Sequence, residues 1–122
     1  MHSFLTAQNC VICQLHVDRV RGFRLSLGVE GVEIALGYYQ SCAQMSDSTM
    51  KCWGRNDYGQ LGDGTTTDRS TPVEVSGITN ARSIALGSYH SCAVLTDGTV
   101  KCWGYNYDGQ LGDGTTTDRT TP

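Results

Sequence analysis

The residues with the clearest chemical potential in this sequence are its cysteines. Cys42 and Cys52 are ten positions apart, and Cys92 and Cys102 repeat that spacing fifty positions later. If each pair lies directly opposite across a tight hairpin, its Cα atoms approach to about 4.5 Å, which is within reach of a disulfide bond. The alternative is that the four thiols are reduced and buried as small hydrophobic groups. We expect the disulfides, and with them an extracellular or cell-envelope location for the parent protein.

A second cysteine pattern, at the N-terminal end, could support metal or redox chemistry. Cys10 and Cys13 form a Cys-x-x-Cys motif with His16 nearby. A closed zinc site needs a second ligand pair, and a thioredoxin-like site needs an adjoining βαβ pattern. Asp63 and Asp68 offer oxygen ligands, but their spacing fits no calcium-binding loop. We therefore expect no metal, and a third disulfide or no role for the motif.

Cofactor binding and catalysis receive little support. The string GQLGDG, at 59–64 and again at 109–114, superficially resembles a phosphate-binding loop, but it lacks the Lys-Ser/Thr ending and opens no helical pattern. His90 lies beside Ser91 and Cys92, but no acid at a reliable spacing completes a catalytic triad, and the first copy has Gln40 instead. We expect no cofactor and no enzymatic activity.

These residues are positioned by an internal repeat of fifty residues. Residues 34–72 and 84–122 agree at about 28 of 39 positions. In the second copy, 81–86, 91–95 and 99–103 read as short strands, and Thr96-Asp97-Gly98 is suited to a three-residue hairpin loop. A hairpin centred on Asp97 places Cys92 opposite Cys102. Residues 73–75 can add a fourth, outer strand to the first copy.

Four short strands per fifty residues are typical of a propeller blade. The string ALGSYHSCAVLTDGTVKCWGYNYDGQLGDGTTTD resembles a repeat of the regulator of chromosome condensation family, in a bacterial-type version that contains cysteines. The WG dipeptide, the Asn two residues later, the GQLG string and the hairpin DG all fall at family spacing. In the first copy, Gln40 replaces the family His and Asp47-Ser48 replaces Asp-Gly. The resemblance implies an all-β fold, a partial β-propeller with two four-stranded blades of an array that normally has about seven.

The resemblance also implies three segments. Residues 1–30 form a divergent segment, a candidate remnant of a preceding blade in which 23–25 would supply an outer strand. Residues 31–80 form the first repeat, and 81–122 form the second repeat without its outer strand. Two repeats cannot close a ring and protect their sheet edges. We therefore expect a fragment of a larger protein, or a unit that self-associates through unpaired blade faces.

Composition narrows the class of partner. The chain has 122 residues with nine basic and twelve acidic side chains, and so lacks the cationic excess of a nucleic-acid-binding surface. No apolar run approaches the roughly 20 residues that span a bilayer. The N-terminus lacks the cationic start and small-residue cleavage site of a signal peptide. We expect a protein partner, no nucleic acid and no membrane insertion.

The exposed-loop differences between the two copies cluster after the WG dipeptide, where arginine and tyrosine appear. These residue types are enriched at interface hot spots, and in family members loops at one propeller face contact protein partners. We expect a non-catalytic protein-binding or scaffold module, with ordinary surface variation as the other explanation of the loops. The alternative function is part of a guanine-nucleotide exchange factor for a small GTPase, in which disulfides would be out of place. The candidate partner-binding residues are Arg55, Asp57, Tyr58, Tyr105, Tyr107 and Asp108.

Overall fold

The structure is a computed structural model that describes residues 23–26 and 33–122. These residues are all-β, and no helix among them is long and apolar enough to cross a membrane. Their strands are β1 (Phe23–Ser26), β2 (Glu33–Leu36), β3 (Gln40–Gln44), β4 (Met50–Gly54), β5 (Arg69–Glu74), β6 (Ala81–Leu86), β7 (His90–Leu95) and β8 (Val100–Gly104).

The strands form two antiparallel sheets, one per repeat. The first sheet has the order β1-β2-β3-β4-β5 and the second β6-β7-β8. The predicted hairpin register is confirmed, because Cys92 pairs with Cys102 and the first repeat has the same register. Gly98 at the turn has a φ of 85°, and Ser48 takes the corresponding position with a φ of 68°. The propeller-type blade predicted from the sequence is therefore present in both repeats.

The edges of the two sheets differ. β1 pairs with β2, so residues 23–26 form a strand at the edge of the first sheet. That residues 1–30 are a remnant of a preceding blade stays a prediction. The other residues of the 1–30 segment lie outside the described residues. β5 is the fourth strand of the first repeat and is longer than predicted. In the second repeat, a single bridge between Gly104 and Arg119 stands where β5 begins in the first.

The hydrophobic core lies between the two sheets. The face of the first sheet that carries its cysteines packs against the face of the second sheet that carries its tryptophan. The buried apolar residues are Ala35, Cys42, Met50 and Cys52 from the first sheet, Ala81, Ile84, Leu86, Ala93, Leu95 and Trp103 from the second, and Leu61, Val75 and Ile78 beside them.

Polar side chains join the two sheets across this core. Gln40 donates hydrogen bonds from Nε2 to the backbone carbonyls of Gly87 and His90, at 3.1 and 3.2 Å. Gln44 Nε2 donates to the carbonyl of Ala81 at 2.9 Å. Buried donors of this kind need partners, and here the partners are on the neighbouring blade. The two blades are therefore held in one fixed relation by hydrogen bonds as well as by apolar packing.

The two faces of the second sheet have unequal burial. Alternation places Cys92, Val94, Val100 and Cys102 on one face, as predicted. That apolar face is the more exposed one, because Val100 is 60% exposed. The opposite face, which includes Ala93 and Leu95, is the buried one. A side chain on a blade is buried only where a second blade covers it, which the strand pattern alone does not reveal.

Candidate protein-binding surface

All six tyrosines of the chain lie together at one end of the two blades. Tyr39 stacks on Tyr89 with ring centroids 5.1 Å apart. Tyr58 makes edge contacts with Tyr89 at 5.2 Å and with Tyr105 at 4.8 Å. Each of the other two tyrosines contacts one member of this group. The tyrosine surface consists of Tyr38, Tyr39, Tyr58, Tyr89, Tyr105, Tyr107 and Arg55.

Strand order explains why these residues meet. In an antiparallel blade, the turn between the first two strands and the loop after the third strand lie at the same end of the sheet. Tyr38 and Tyr39 lie in the turn between β2 and β3, and Tyr89 lies in the corresponding turn of the second repeat. Tyr58 and Tyr105 lie in the loops that follow β4 and β8. The surface therefore spans both blades.

The glycine of each WG dipeptide brings turn and loop together. Gly54 has a φ of 111°, and a Cβ built on it would lie 2.6 Å from the carbonyl oxygen of Tyr39. The next residue, Arg55, donates its backbone N–H to that carbonyl at 3.0 Å. Gly104 makes the same close approach to Tyr89. A larger residue would push the loop away from the turn, so this glycine is required for the tyrosines to pack.

A buried asparagine holds each loop in shape. Asn56 is fully buried, and its Nδ2 donates to the carbonyls of Thr65 and Thr67, both at 3.0 Å. Its Oδ1 accepts from the N–H of Leu61 at 3.0 Å. Asn106 makes the equivalent bonds in the second repeat. The loops that carry the tyrosines are therefore fixed by side-chain hydrogen bonds and not by regular secondary structure.

Asp63 reinforces the loop of the first repeat. Its burial disfavours the charged form, but hydrogen bonds from Thr65, Arg69 and Asn56 outweigh that cost and hold the pKa of its carboxyl below the ordinary value. Asp113 has the corresponding partners, led by Thr115, and its pKa is also lowered. Both carboxylates stay charged at neutral pH.

The tyrosine surface carries a cation with a hydrogen-bonded counter-ion. The guanidinium of Arg55 lies 5.2 Å from the ring centre of Tyr39 and 5.7 Å from that of Tyr89. Its Nε donates to a carboxylate oxygen of Asp57 at 2.6 Å, and this bond raises the pKa of Arg55. A hydrogen bond with Tyr89 raises the pKa of Tyr39. The surface thus holds the ion pair of Arg55 and Asp57 beside the rings of Tyr39 and Tyr89.

Five of the six residues predicted to bind a partner lie in or beside the tyrosine surface: Arg55, Tyr58, Tyr105 and Tyr107 belong to it, and Asp57 is bound to Arg55. Asp108 is exposed in the same loop as Tyr105 and Tyr107, and its charge helps to raise the pKa of Tyr105 after the larger effect of desolvation. Sequence reasoning missed Tyr38, Tyr39 and Tyr89. The signal was present, because an antiparallel blade places the turn after its first strand beside the loop after its third.

The remaining candidate chemical groups have structural partners. Cys42 and Cys52 lie at disulfide-bond distance, as do Cys92 and Cys102, with Cα atoms 4.1 and 4.0 Å apart respectively. Both pairs are compatible with an oxidising environment. Ser91 is buried and donates its hydroxyl to the carbonyl of Gln60 at 2.8 Å.

Burial lowers the pKa of the half-buried His90. Within residues 23–26 and 33–122, no group of three or more His, Cys, Asp or Glu side chains could hold a metal ion. The Cys10–Cys13 motif lies outside the described residues.

The fold and the loop geometry define the class of protein: successive blades of a β-propeller, with a shared loop surface at one end. Models of the regulator of chromosome condensation (RCC1) repeat match the chain over residues 52–94 in one case, and over residues 32–60 and 81–110 in the other. The chain belongs to this family. The matched residues include parts of both repeats and end at residue 110.

Curated relatives and solved structures agree with this assignment. The chain is similar to the probable E3 ubiquitin-protein ligase HERC4 of Homo sapiens, with 43% identity over 47 residues, which are 38% of this chain and 4% of that protein. The rat HERC4 is 40% identical over the same length, with the same shares of each chain.

Among solved structures, Prp20p from Saccharomyces cerevisiae, described with its binding properties to Gsp1p and histones, has a TM-score of 0.67 at 24% identity. Human WBSCR16 has a TM-score of 0.66 at 25% identity. Each of these two alignments covers 80% of this chain and 26% of the other. The chain therefore spans about a quarter of these propellers.

Proposed function

We propose that this chain is a non-catalytic protein-binding module and that its partner contacts the tyrosine surface. The observation that carries the proposal is the contiguous packing of six tyrosines around Arg55 across two blades. Tyrosine and arginine supply large contact areas with a polar end and lose few degrees of freedom on binding. They are enriched at the residues that dominate binding energy.

Burial and rigidity support the proposal. Tyr38 is 58% exposed and Tyr107 is 73% exposed, so their rings are free to contact a second protein. The loops beneath them are held by the buried Asn56 and Asn106, so little ordering is needed on binding. The structural relatives include yeast RCC1 in complex with Kap60, in which the partner is also a protein.

The experiment uses the full chain as bait in secreted and cell-envelope fractions of the source cells, with the captured protein identified and purified. The affinity of wild type is then compared with that of Tyr38→Ala and Tyr107→Ala. Truncating an anchor at a hot spot costs about 2 kcal/mol or more, roughly a thirtyfold loss of affinity. Val100→Ala is the matched control, because Val100 is also well exposed but lies at the other end of the strands. Unchanged affinity in both tyrosine variants would refute the proposal.

The exchange-factor alternative has less support. The relevant structural likeness, at 24% identity, extends to the fold alone, and the chain covers 26% of that propeller. Stimulated nucleotide release from a small GTPase by the purified chain would favour it. For the parent protein we propose an extracellular or cell-envelope location, because two cysteine pairs lie at bonding distance. Free thiols at all four repeat cysteines in protein purified without reductant would contradict that location.

A further inference from the structure

The two loops that carry the tyrosine surface have an unbalanced charge. Each arginine in these loops or at their ends already has a carboxylate partner, in the pairs Arg55–Asp57, Arg69–Asp63 and Arg119–Asp113. Three further carboxylates of the loops are exposed and form no ion pair within the described residues: Asp68, Asp108 and Asp118. The loops therefore present an excess of negative charge to a partner.

The first repeat shows how this surface holds an arginine. The rings of Tyr39 and Tyr89 are stacked, with an interplanar angle of 24°. The guanidinium of Arg55 lies 5.2 Å from the ring centre of Tyr39 and forms an ion pair with Asp57 at 2.6 Å. A guanidinium within about 6 Å of a ring centre is attracted by the negative face of the ring. The chain itself therefore places a guanidinium against stacked tyrosines and beside a carboxylate.

The second repeat has stacked tyrosines and a carboxylate but no arginine, because Tyr105 stands where the first repeat has Arg55. Tyr105 and Tyr107 are stacked with the same interplanar angle of 24° and ring centroids 6.4 Å apart. Tyr107 is 73% exposed, and the exposed Asp108 follows it directly. Desolvation raises the pKa of Tyr105, and the charges of Asp108 and Asp118 add to that effect. Both carboxylates thus lie near the stacked rings.

The exposure of these residues is a property of the loop. The positions of Tyr105 and Tyr107 are occupied in the first repeat by Arg55 and Asp57. These two side chains lie beside the second blade and are still 42% and 43% exposed. The next position, that of Tyr58, is also partly exposed. A blade packed against the second repeat would therefore leave the same loop positions open to a partner.

We infer, on the basis of the proposed function, that the partner protein places an arginine side chain over Tyr105 and Tyr107 and pairs its guanidinium with Asp108. Arginine fits better than lysine, because a planar guanidinium stacks on a ring and binds a carboxylate at the same time. The unpaired carboxylates of the loops repel an acidic segment and attract a basic one. The contact would repeat, between two proteins, the contact that Arg55 makes within this chain.

Three synthetic peptides, titrated into the full chain, test the chemistry of the contact. They consist of five repeats of Gly-Arg, of Gly-Lys and of Gly-citrulline. Lysine keeps the charge without the planar group, and citrulline keeps the planar group without the charge. Calorimetry at low ionic strength should give the arginine peptide an affinity about fivefold above that of the citrulline peptide and about twofold above that of the lysine peptide. No binding of the arginine peptide, or equal binding of either of the other two, would overturn the inference.

Substitutions in the second loop test the place of the contact. Tyr107→Leu removes the ring and Asp108→Asn removes the charge, and each should lower the affinity for the arginine peptide about two- to fivefold. Tyr107→Phe keeps the ring face and should bind like wild type. Glu74→Gln is the matched control, because it removes one negative charge at the opposite end of the blade, where Glu74 pairs with Lys51.

Wild-type affinity in Tyr107→Leu or Asp108→Asn, or an equal loss in Glu74→Gln, would place the peptide elsewhere and overturn the inference. A loss in Tyr107→Phe as large as that in Tyr107→Leu would assign the effect to the hydroxyl group and would also overturn it. The titration does not use the captured partner. A partner that loses affinity for Tyr38→Ala and Tyr107→Ala, together with no preference for the arginine peptide, would support the proposed function and refute this contact alone.

Discussion

Removing the two disulfides one at a time distinguishes two contributions to the unfolding free energy, that of closing the hairpin loop and that of burying the sulfur atoms. Each bond joins residues ten positions apart in the same hairpin register. Chain-entropy arithmetic for a loop of that length gives about 2.7 kcal/mol of stabilisation for each bond. The cysteines of the first pair are fully buried, whereas those of the second pair are half-buried. Replacing two buried sulfur atoms should cost roughly another 1.6 kcal/mol, if each counts as about one methylene.

The expected result is a larger loss for the buried pair. The double variant Cys42→Ala/Cys52→Ala should lose about 4 kcal/mol of unfolding free energy, and Cys92→Ala/Cys102→Ala about 3 kcal/mol. Urea unfolding, followed by tryptophan fluorescence, measures both values. An equal or larger loss for the second pair would refute the reasoning that blade position sets the difference.

Two further predictions concern the turns and the loops. Ser48→Gly should raise the unfolding free energy by about 0.5 to 1 kcal/mol, because Ser48 has a φ of 68° and glycine adopts that conformation without strain; chemical denaturation would show an unchanged or lower midpoint if the turn is not strained. The lowered pKa of Asp63 stabilises the fold above its unfolded-state pKa near 4, and this contribution should be lost as pH falls through the lower folded-state value. Asp63→Asn should flatten the acid side of the stability profile, and an unchanged slope would contradict the assignment.

The hairpins could be predicted because their determinants are local. Asp97-Gly98 fixes the turn, and alternation from that turn fixes Cys92 opposite Cys102. The observed strands therefore match the predicted ones to within a residue. The loop after each WG dipeptide was expected to be irregular, but its order was not foreseen. That order depends on Asn56, whose partners lie as far as Asp68 and were not evident from its neighbours in the sequence.

Burial could not be predicted from one repeat, because it depends on the neighbouring blade. Cys42 and Cys92 have the same local sequence on either side, yet the first is fully buried and the second is half-buried. The tyrosine surface could be predicted only in part. Tyr105 and Tyr107 differ from their counterparts in the first copy, whereas Tyr39 and Tyr89 are the same residue in both copies, so a comparison of the copies does not distinguish them.

The sequence differences between the two repeats are unevenly distributed over the two faces of a blade. The tryptophan faces are almost identical in sequence, since Ser41 and Trp53 recur as Ser91 and Trp103. The cysteine faces differ at four positions, Glu33 to Ser83, Gln40 to His90, Gln44 to Val94 and Met50 to Val100.

The nearly identical tryptophan face can pack against cysteine faces of different sequence only if the essential contacts are made by groups that both repeats have. Those groups are the backbone carbonyl of Gln60 or Gln110 and the glycine of Gly62 or Gly112, which both repeats retain. Gln44 donates across the existing interface, and Val94 cannot do so.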